Sequence, residues 1–248
     1  SLIEYYTAKA QIAAHQDRNA ALFYLPGNVP SSEIARHSIG KKTLIDPDMF
    51  TLFKQSDLKI PGKHNFSNAV MATAVARALG CSDEAIVKAV TGFKGLPYRL
   101  QLSRTIDLGG GAAVKFYNDS AGTTPETAAA AVRAFSDPAV LIAGGKDKNL
   151  DYGGLKNALS RAPTFAVVLF GENREKISDQ LHGITQQIEM KSGNLATVVQ
   201  SAYSLAKKRA LELNRPVAIL FSPASASFDM FKDWYDRSEQ FDAIVKKI

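Results

Sequence analysis

From residue 98 to its end the chain repeats one pattern: a short apolar run, a turn of glycine or small polar residues, then a stretch with helical spacing. Runs such as residues 139–143 (AVLIA) and 165–170 (FAVVLF) lack polar alternation, so strands formed from them need cover on both faces. The pattern predicts strands over residues 100–107, 112–118, 138–143, 164–170, 185–190 and 216–221. Helices are predicted over 125–134, 151–160, 172–182, 194–212 and 228–247, the last with one break allowed. Strands alternating with helices make a doubly wound α/β domain, with ligands favoured beyond the carboxyl ends of the strands. Gly109-Gly110-Gly111 falls between two predicted strands and reads as a hairpin turn.

The first 97 residues are less regular. An amphipathic helix runs to about residue 15 without a clear amino-terminal cap, so upstream sequence is expected. Strands are expected at 19–25, ended by Pro26-Gly27-Asn28, and just before Pro47, with a short helix between them. Residues 54–60 read as an edge strand or hairpin arm closed by Pro61-Gly62. A longer helix over 64–79 groups Val70, Ala74, Ala78 and Leu79, Gly80 ends it, and Ser82 starts another helix to about residue 90. Cys81 is expected to pack at that helix end. Residues 92–97 break regularity and set the expected boundary between a first domain, 1–97, and a second, 98–248.

Composition removes several classes. The hydrophobic fraction is 46% and the charged fraction 22%, as in cored proteins. No window has the roughly 18 uncharged apolar residues of a membrane span, and the opening segment does not read as a signal peptide. One cysteine permits no intrachain disulfide, and this suggests an intracellular protein. The net charge of +6 is spread along the chain with no basic block interleaved with aromatics, so no nucleic-acid partner is expected.

Four polar clusters fall at strand ends or helix starts. In residues 62–68 (GKHNFSN), Asn65 and Asn68 share a helix face beside His64; two carboxamides suit a purine edge, and a capped helix with a packed histidine explains the cluster equally. Arg99 follows the Gly95-Leu96-Pro97 turn, where a guanidinium can grip phosphate or carboxylate. Asp119 ends a strand, and Thr124-Pro125 opens a helix whose amides can receive an anion, or simply caps it. The fourth cluster joins residues 143–148 (AGGKDK) with 222–229 (SPASASFD), in which Lys146 or Lys148 can neutralise a carboxylate. Neither a Walker A loop nor G-x-G-x-x-G occurs, which argues against a phosphate loop within this chain and against hydride transfer.

Taken together, G-x-H-N-x-x-N at 62–68, GLPYR at 95–99, YNDSAGTTPE at 117–126, AGGKDKNLDY at 143–152 and LFSPASASFDMFKDW at 220–234 resemble the Mur ligase family. The NDS-x-x-T-x-P run favours the member that adds D-glutamate. The resemblance implies an α/β protein: the distal part of a central ATP-binding domain, then a Rossmann-like domain that binds the amino acid. It also implies that the phosphate loop and the magnesium ligands lie in sequence upstream.

By resemblance His64, Asn65, Asn68, Arg99 and Asp119 contact the nucleotide. Thr123, Lys148, Ser227 and Trp234 contact the amino acid. No catalytic residue and no metal ligand is assigned within the chain. ATP and Mg²⁺ are the implied cofactors. UDP-N-acetylmuramoyl-L-alanine and D-glutamate are the implied partners, in a cytoplasmic monomer. Ala121 departs from the family, several members of which have lysine there, so no ammonium contact is expected at that position. Another Mur-type or a folylpolyglutamate-type amino-acid ligase and a noncatalytic ligand-binding fragment remain the alternatives.

Overall fold

The computed structural model describes residues 2–26, 29–184, 187–190 and 193–248. Two compact units emerge: Ser1–Lys59 with Lys63–Phe93, and Ile60–Gly62 with Lys94–Ile248.

In the first unit, α1 (Leu2–Ala14) precedes β1 (Ala21–Tyr24), α2 (Val29–Arg36) and β2 (Lys41–Leu44), and the two strands pair in parallel. Gly27 and Asn28 of the expected turn lie outside the described residues. Residues 54–60 are not a strand. The Asp57 carboxylate accepts the Lys54 N–H at 2.8 Å and winds Gln55–Asp57 into a 3-10 turn.

Next come α3 (Lys63–Ala78) and α4 (Asp83–Gly92). Gly80, at φ +84°, closes α3, and Ser82 Oγ caps α4 by accepting the Ala85 N–H. The buried side of α3 is Val70 and Thr73. Leu79 lies past the last helical residue and is 78% exposed, contrary to the expected grouping; Cys81 is exposed rather than packed.

The second unit is a six-stranded sheet: β3 (Gln101–Gly109), β4 (Ala112–Asn118), β5 (Ala139–Gly144), β6 (Thr164–Phe170), β7 (Gln187–Met190) and β8 (Pro216–Phe221). Their spatial order is β3-β4-β8-β5-β6-β7. Gly110-Gly111 turns β3 back antiparallel onto β4; the other pairs are parallel. Residues 185 and 186 of the expected fifth strand lie outside the described residues.

Alternate residues of each strand face opposite layers. Val114, Phe116, Val140, Ile142, Val168, Ile219 and Phe221 pack with α8 (Leu195–Leu213) and α9 (Trp234–Val245). Leu141, Ala143, Val167, Leu169 and Leu220 pack with α5 (Pro125–Arg133), α6 (Gly153–Leu159) and α7 (Arg174–Gln180). Cover on both faces is what the unbroken apolar runs require.

The last helix is shorter than expected. Met230 and Phe231 donate their N–H groups back to Ser227 O, at 3.2 and 3.0 Å. Asp233 Oδ1 caps α9 from the Asp236 N–H, so the helix starts at Trp234. Because β8 is inserted between β4 and β5, the chain reverses direction across the sheet there, and the loops after β4, β8, β5 and β6 emerge at one edge.

Candidate functional site

In the loop after β4, Asp119 is buried. Its carboxylate accepts the Leu100 N–H at 3.1 Å and the Ser222 hydroxyl at 2.6 Å, which joins the ends of β4 and β8 to the segment before β3. Burial pushes its pKa up to about 6, against the opposing pull of Ser222, Leu100 and the Arg99 charge. A Cβ at Gly122 would lie 2.8 Å from Asp119 Oδ2, so this tight turn needs glycine. Thr124 then caps α5 from the Thr127 N–H, with Pro125 at the first helical position.

Tyr98 and Leu100 both have left-handed backbone, φ +60° and +44°. Tyr98 is held by its N–H to Gln101 Oε1 (2.9 Å) and by its carbonyl, which accepts the Ala121 N–H (3.2 Å). Its ring meets Trp234 and Tyr235 edge-on, at 6.3 and 5.3 Å between centroids. Arg99, between these two residues, is exposed.

Gly144 and Gly145 follow β5. A Cβ on Gly144 would come 1.9 Å from Phe170 O, and one on Gly145 would come 2.2 Å from Ala226 O. That close approach lets Lys146 N–H donate to Ala226 O at 2.9 Å. Beneath the turn, Asn173 Nδ2 donates to the Tyr152 hydroxyl and to Ser225 Oγ, both at 2.8 Å, while its Oδ1 accepts the Gly145 N–H at 3.0 Å. This buried network locks the loops after β5, β6 and β8 together.

A recess of about 520 Å³ opens beside these loops, lined by Lys146, Glu172, Arg174, Phe228, Asp229 and Met230 among others. Lys146 pairs with Glu172 at 2.6 Å, and Asp229 Oδ2 accepts the Glu172 N–H. Thr123, Lys148, Ser227 and Trp234 are not among the residues that line it.

Of the residues expected to contact an amino acid, Thr123 is half-buried in the turn before α5 and Ser227 is buried in the loop after β8. Trp234 is 41% exposed at the start of α9. Lys148 is exposed beyond the glycine turn, and none of the described residues accepts a hydrogen bond from its ammonium. Asp119 and Arg99 belong to the same unit as these four.

His64, Asn65 and Asn68 lie in the first two turns of α3, in the other unit. Desolvation lowers the His64 pKa, which favours neutral imidazole. Asn65 is half-buried and Asn68 exposed. Among the described residues, no three His, Cys, Asp or Glu side chains gather to hold a metal ion.

Sequence reasoning missed Asn173 and Arg237, and it placed Ser222 in a polar cluster without its link to Asp119. Arg237 is fully buried; burial brings its pKa down to about 10. The available signal was an arginine four residues before Phe241 on a helix whose buried side includes Phe241 and Val245.

The fold is that of the Mur ligases. In fold, the chain superposes on the UDP-N-acetylmuramate–alanine ligase of Thermotoga maritima with a TM-score of 0.63, at 15% identity, over 100% of this chain and 56% of that one. It also superposes on the MurF ligase of the same organism in complex with ADP, with a TM-score of 0.64 at 13% identity, over 97% and 57%.

Curated sequences agree. UDP-N-acetylmuramoylalanine–D-glutamate ligases of Aquifex aeolicus, Syntrophus aciditrophicus and Lactobacillus acidophilus are 38%, 36% and 33% identical over 79%, 77% and 97% of this chain. The chain therefore belongs to the Mur ligase family. It spans 44%, 39% and 46% of those three relatives' own lengths. No family model matches.

Proposed function

We propose that this chain forms part of an ATP-dependent ligase that joins D-glutamate to UDP-N-acetylmuramoyl-L-alanine in peptidoglycan precursor synthesis. The observation that carries the reading is the 33–38% identity to curated D-glutamate ligases over at least three-quarters of the chain. In this reading residues 1–97 are the distal part of the ATP-binding domain and 98–248 bind the amino acid. The enzyme acts as a monomer in the cytoplasm, where ATP and nucleotide-activated sugars are available. No helix among the described residues is long and apolar enough to cross a membrane.

ATP transfers its terminal phosphoryl group to the muramoyl-alanine carboxylate, giving an acyl phosphate and ADP. The D-glutamate amine attacks the acyl carbon, loses a proton and expels phosphate as the amide forms. Asn65 and Asn68 offer amides to the adenine, with His64 alongside. Arg99 reaches the phosphates, and Asp119 accepts from the ribose. Asp119 is ionised at neutral pH, and each of its oxygens keeps a second lone pair beyond the bonds to Leu100 and Ser222.

Lys148 and Ser227 hold the carboxylates of D-glutamate, Thr123 lies in the neighbouring turn, and Trp234 packs beside the substrate. Holding the amine against the activated carbonyl is the main catalytic service of this part of the protein. Mg²⁺ accompanies ATP and offsets its charge, but the described residues offer no cluster for it and no step is assigned to it.

The test is D-glutamate-dependent phosphate release by the complete enzyme carrying this chain, with L-glutamate as the control; the chain by itself is expected to show no turnover. Lys148→Ala and Ser227→Ala should each raise the D-glutamate KM about tenfold or more, the loss of one hydrogen bond to a charged group, while the ATP KM stays within about twofold. Unchanged amino-acid kinetics in both variants would remove these residues from the site. Equal use of D- and L-glutamate would remove the substrate assignment.

A further inference from the structure

The proposed reaction leaves Arg237 without a task, yet its environment is specific. The side chain is fully buried, and its three donor nitrogens reach two loops. Nε donates to Ser120 Oγ at 2.9 Å, Nη2 to Ser120 O at 2.9 Å, and Nη1 to Ser225 O at 3.0 Å. Ser120 Oγ in turn donates to Trp234 O at 3.3 Å. Ser120 and Ser225 are themselves fully buried.

None of the described carboxylates lies within ion-pair distance of Arg237; Asp229 acts on it only through space. A buried cation without a contacting counter-ion is costly, and an apolar side chain of similar length would fill the space without that cost. What the guanidinium supplies is a rigid planar fork able to grip acceptors on two separate segments at once.

Those segments carry the proposed amino-acid contacts. Ser120 stands three residues before Thr123, Ser225 two before Ser227, and Trp234 one helical turn before Arg237 itself. We propose that Arg237 is a positioning residue for the amino-acid site: it fixes the spacing of Thr123, Ser227 and Trp234 by clamping the loops after β4 and β8 to the first turn of α9. The part that concerns substrate rests on the ligase reading; the clamp itself does not.

Trp234 is the single tryptophan of the chain, so its fluorescence reads the clamp directly. In the 248-residue protein, Arg237→Met and Arg237→Lys should both leave a cooperative thermal transition. Acrylamide quenching of Trp234 should rise about twofold in both, because an ammonium cannot replace a fork that spans two loops. Ser120→Ala removes only the shared hydroxyl and should give a smaller change in the same direction; it carries the test if Arg237→Met does not fold.

In the complete enzyme the D-glutamate KM should rise about tenfold in Arg237→Lys with the ATP KM within about twofold, a split that general loss of stability does not produce. Unchanged quenching in the folded variants, full rescue by lysine, or an equal rise in both KM values would overturn the proposal. A parent enzyme that ignores D-glutamate would overturn the ligase reading instead, and the quenching would still decide the clamp.

Discussion

Asp119 keeps both carboxylate oxygens inside the protein, one on the Leu100 amide and one on the Ser222 hydroxyl. Desolvation outweighs these bonds and raises its pKa from 3.8 to about 6. The folded state therefore holds this proton to higher pH than the unfolded chain. The resulting contribution to stability is complete below pH 3.8 and is lost as pH rises through 6, an effect of about 2–3 kcal/mol. Between pH 4 and 7 the parent should lose about that much stability relative to Asp119→Asn in urea titrations; a difference constant with pH would contradict the burial argument. The sequence shows an acid at a strand end. It does not show Ser222, 103 residues further on, which turns that acid into a bridge between strands.

At the level of elements, local chemistry decided some boundaries. Thr124 and Thr127 cap α5 reciprocally: Thr127 N–H donates to Thr124 Oγ1 at 3.4 Å, and Thr124 N–H to Thr127 Oγ1 at 3.2 Å. Thr124→Ala should cost about 1 kcal/mol, read as a lower urea midpoint with an unchanged slope; a shift under about 0.3 kcal/mol would mean that packing alone sets the helix start. That cap was legible because Thr, Pro and Glu stand in order at residues 124–126. Residues 54–60 misled for the opposite reason: a short run before Pro-Gly resembles an edge strand, but one carboxylate, Asp57, folds back on Lys54 N–H. The start of α9 was misjudged similarly, because the cap at Asp233 and the turn on Ser227 override a pattern that continues upstream.

Across the whole molecule the two units differ in how much they bury. In the second, strands β5, β6 and β8 are buried almost throughout, under helices on both faces. In the first, the buried apolar side chains among the described residues are few: Ala10, Ala13, Ala35, Phe53, Val70 and Ile86. Hydrogen exchange should therefore be at least about 100-fold slower in β5, β6 and β8 than in β1 and β2; equal protection would show that the first unit draws its stability from something other than its own core. The sequence by itself determined the alternation of strand and helix, the glycine turns, the capped start of α5 and the family, because each is written in adjacent residues or short motifs. Only the tertiary structure decided that β8 slips between β4 and β5, that Asp119 and Arg237 are buried, and that one guanidinium holds Ser120 from 117 residues away. Strand neighbours and burial depend on contacts between segments far apart in the chain, and no local period encodes which of those segments will meet.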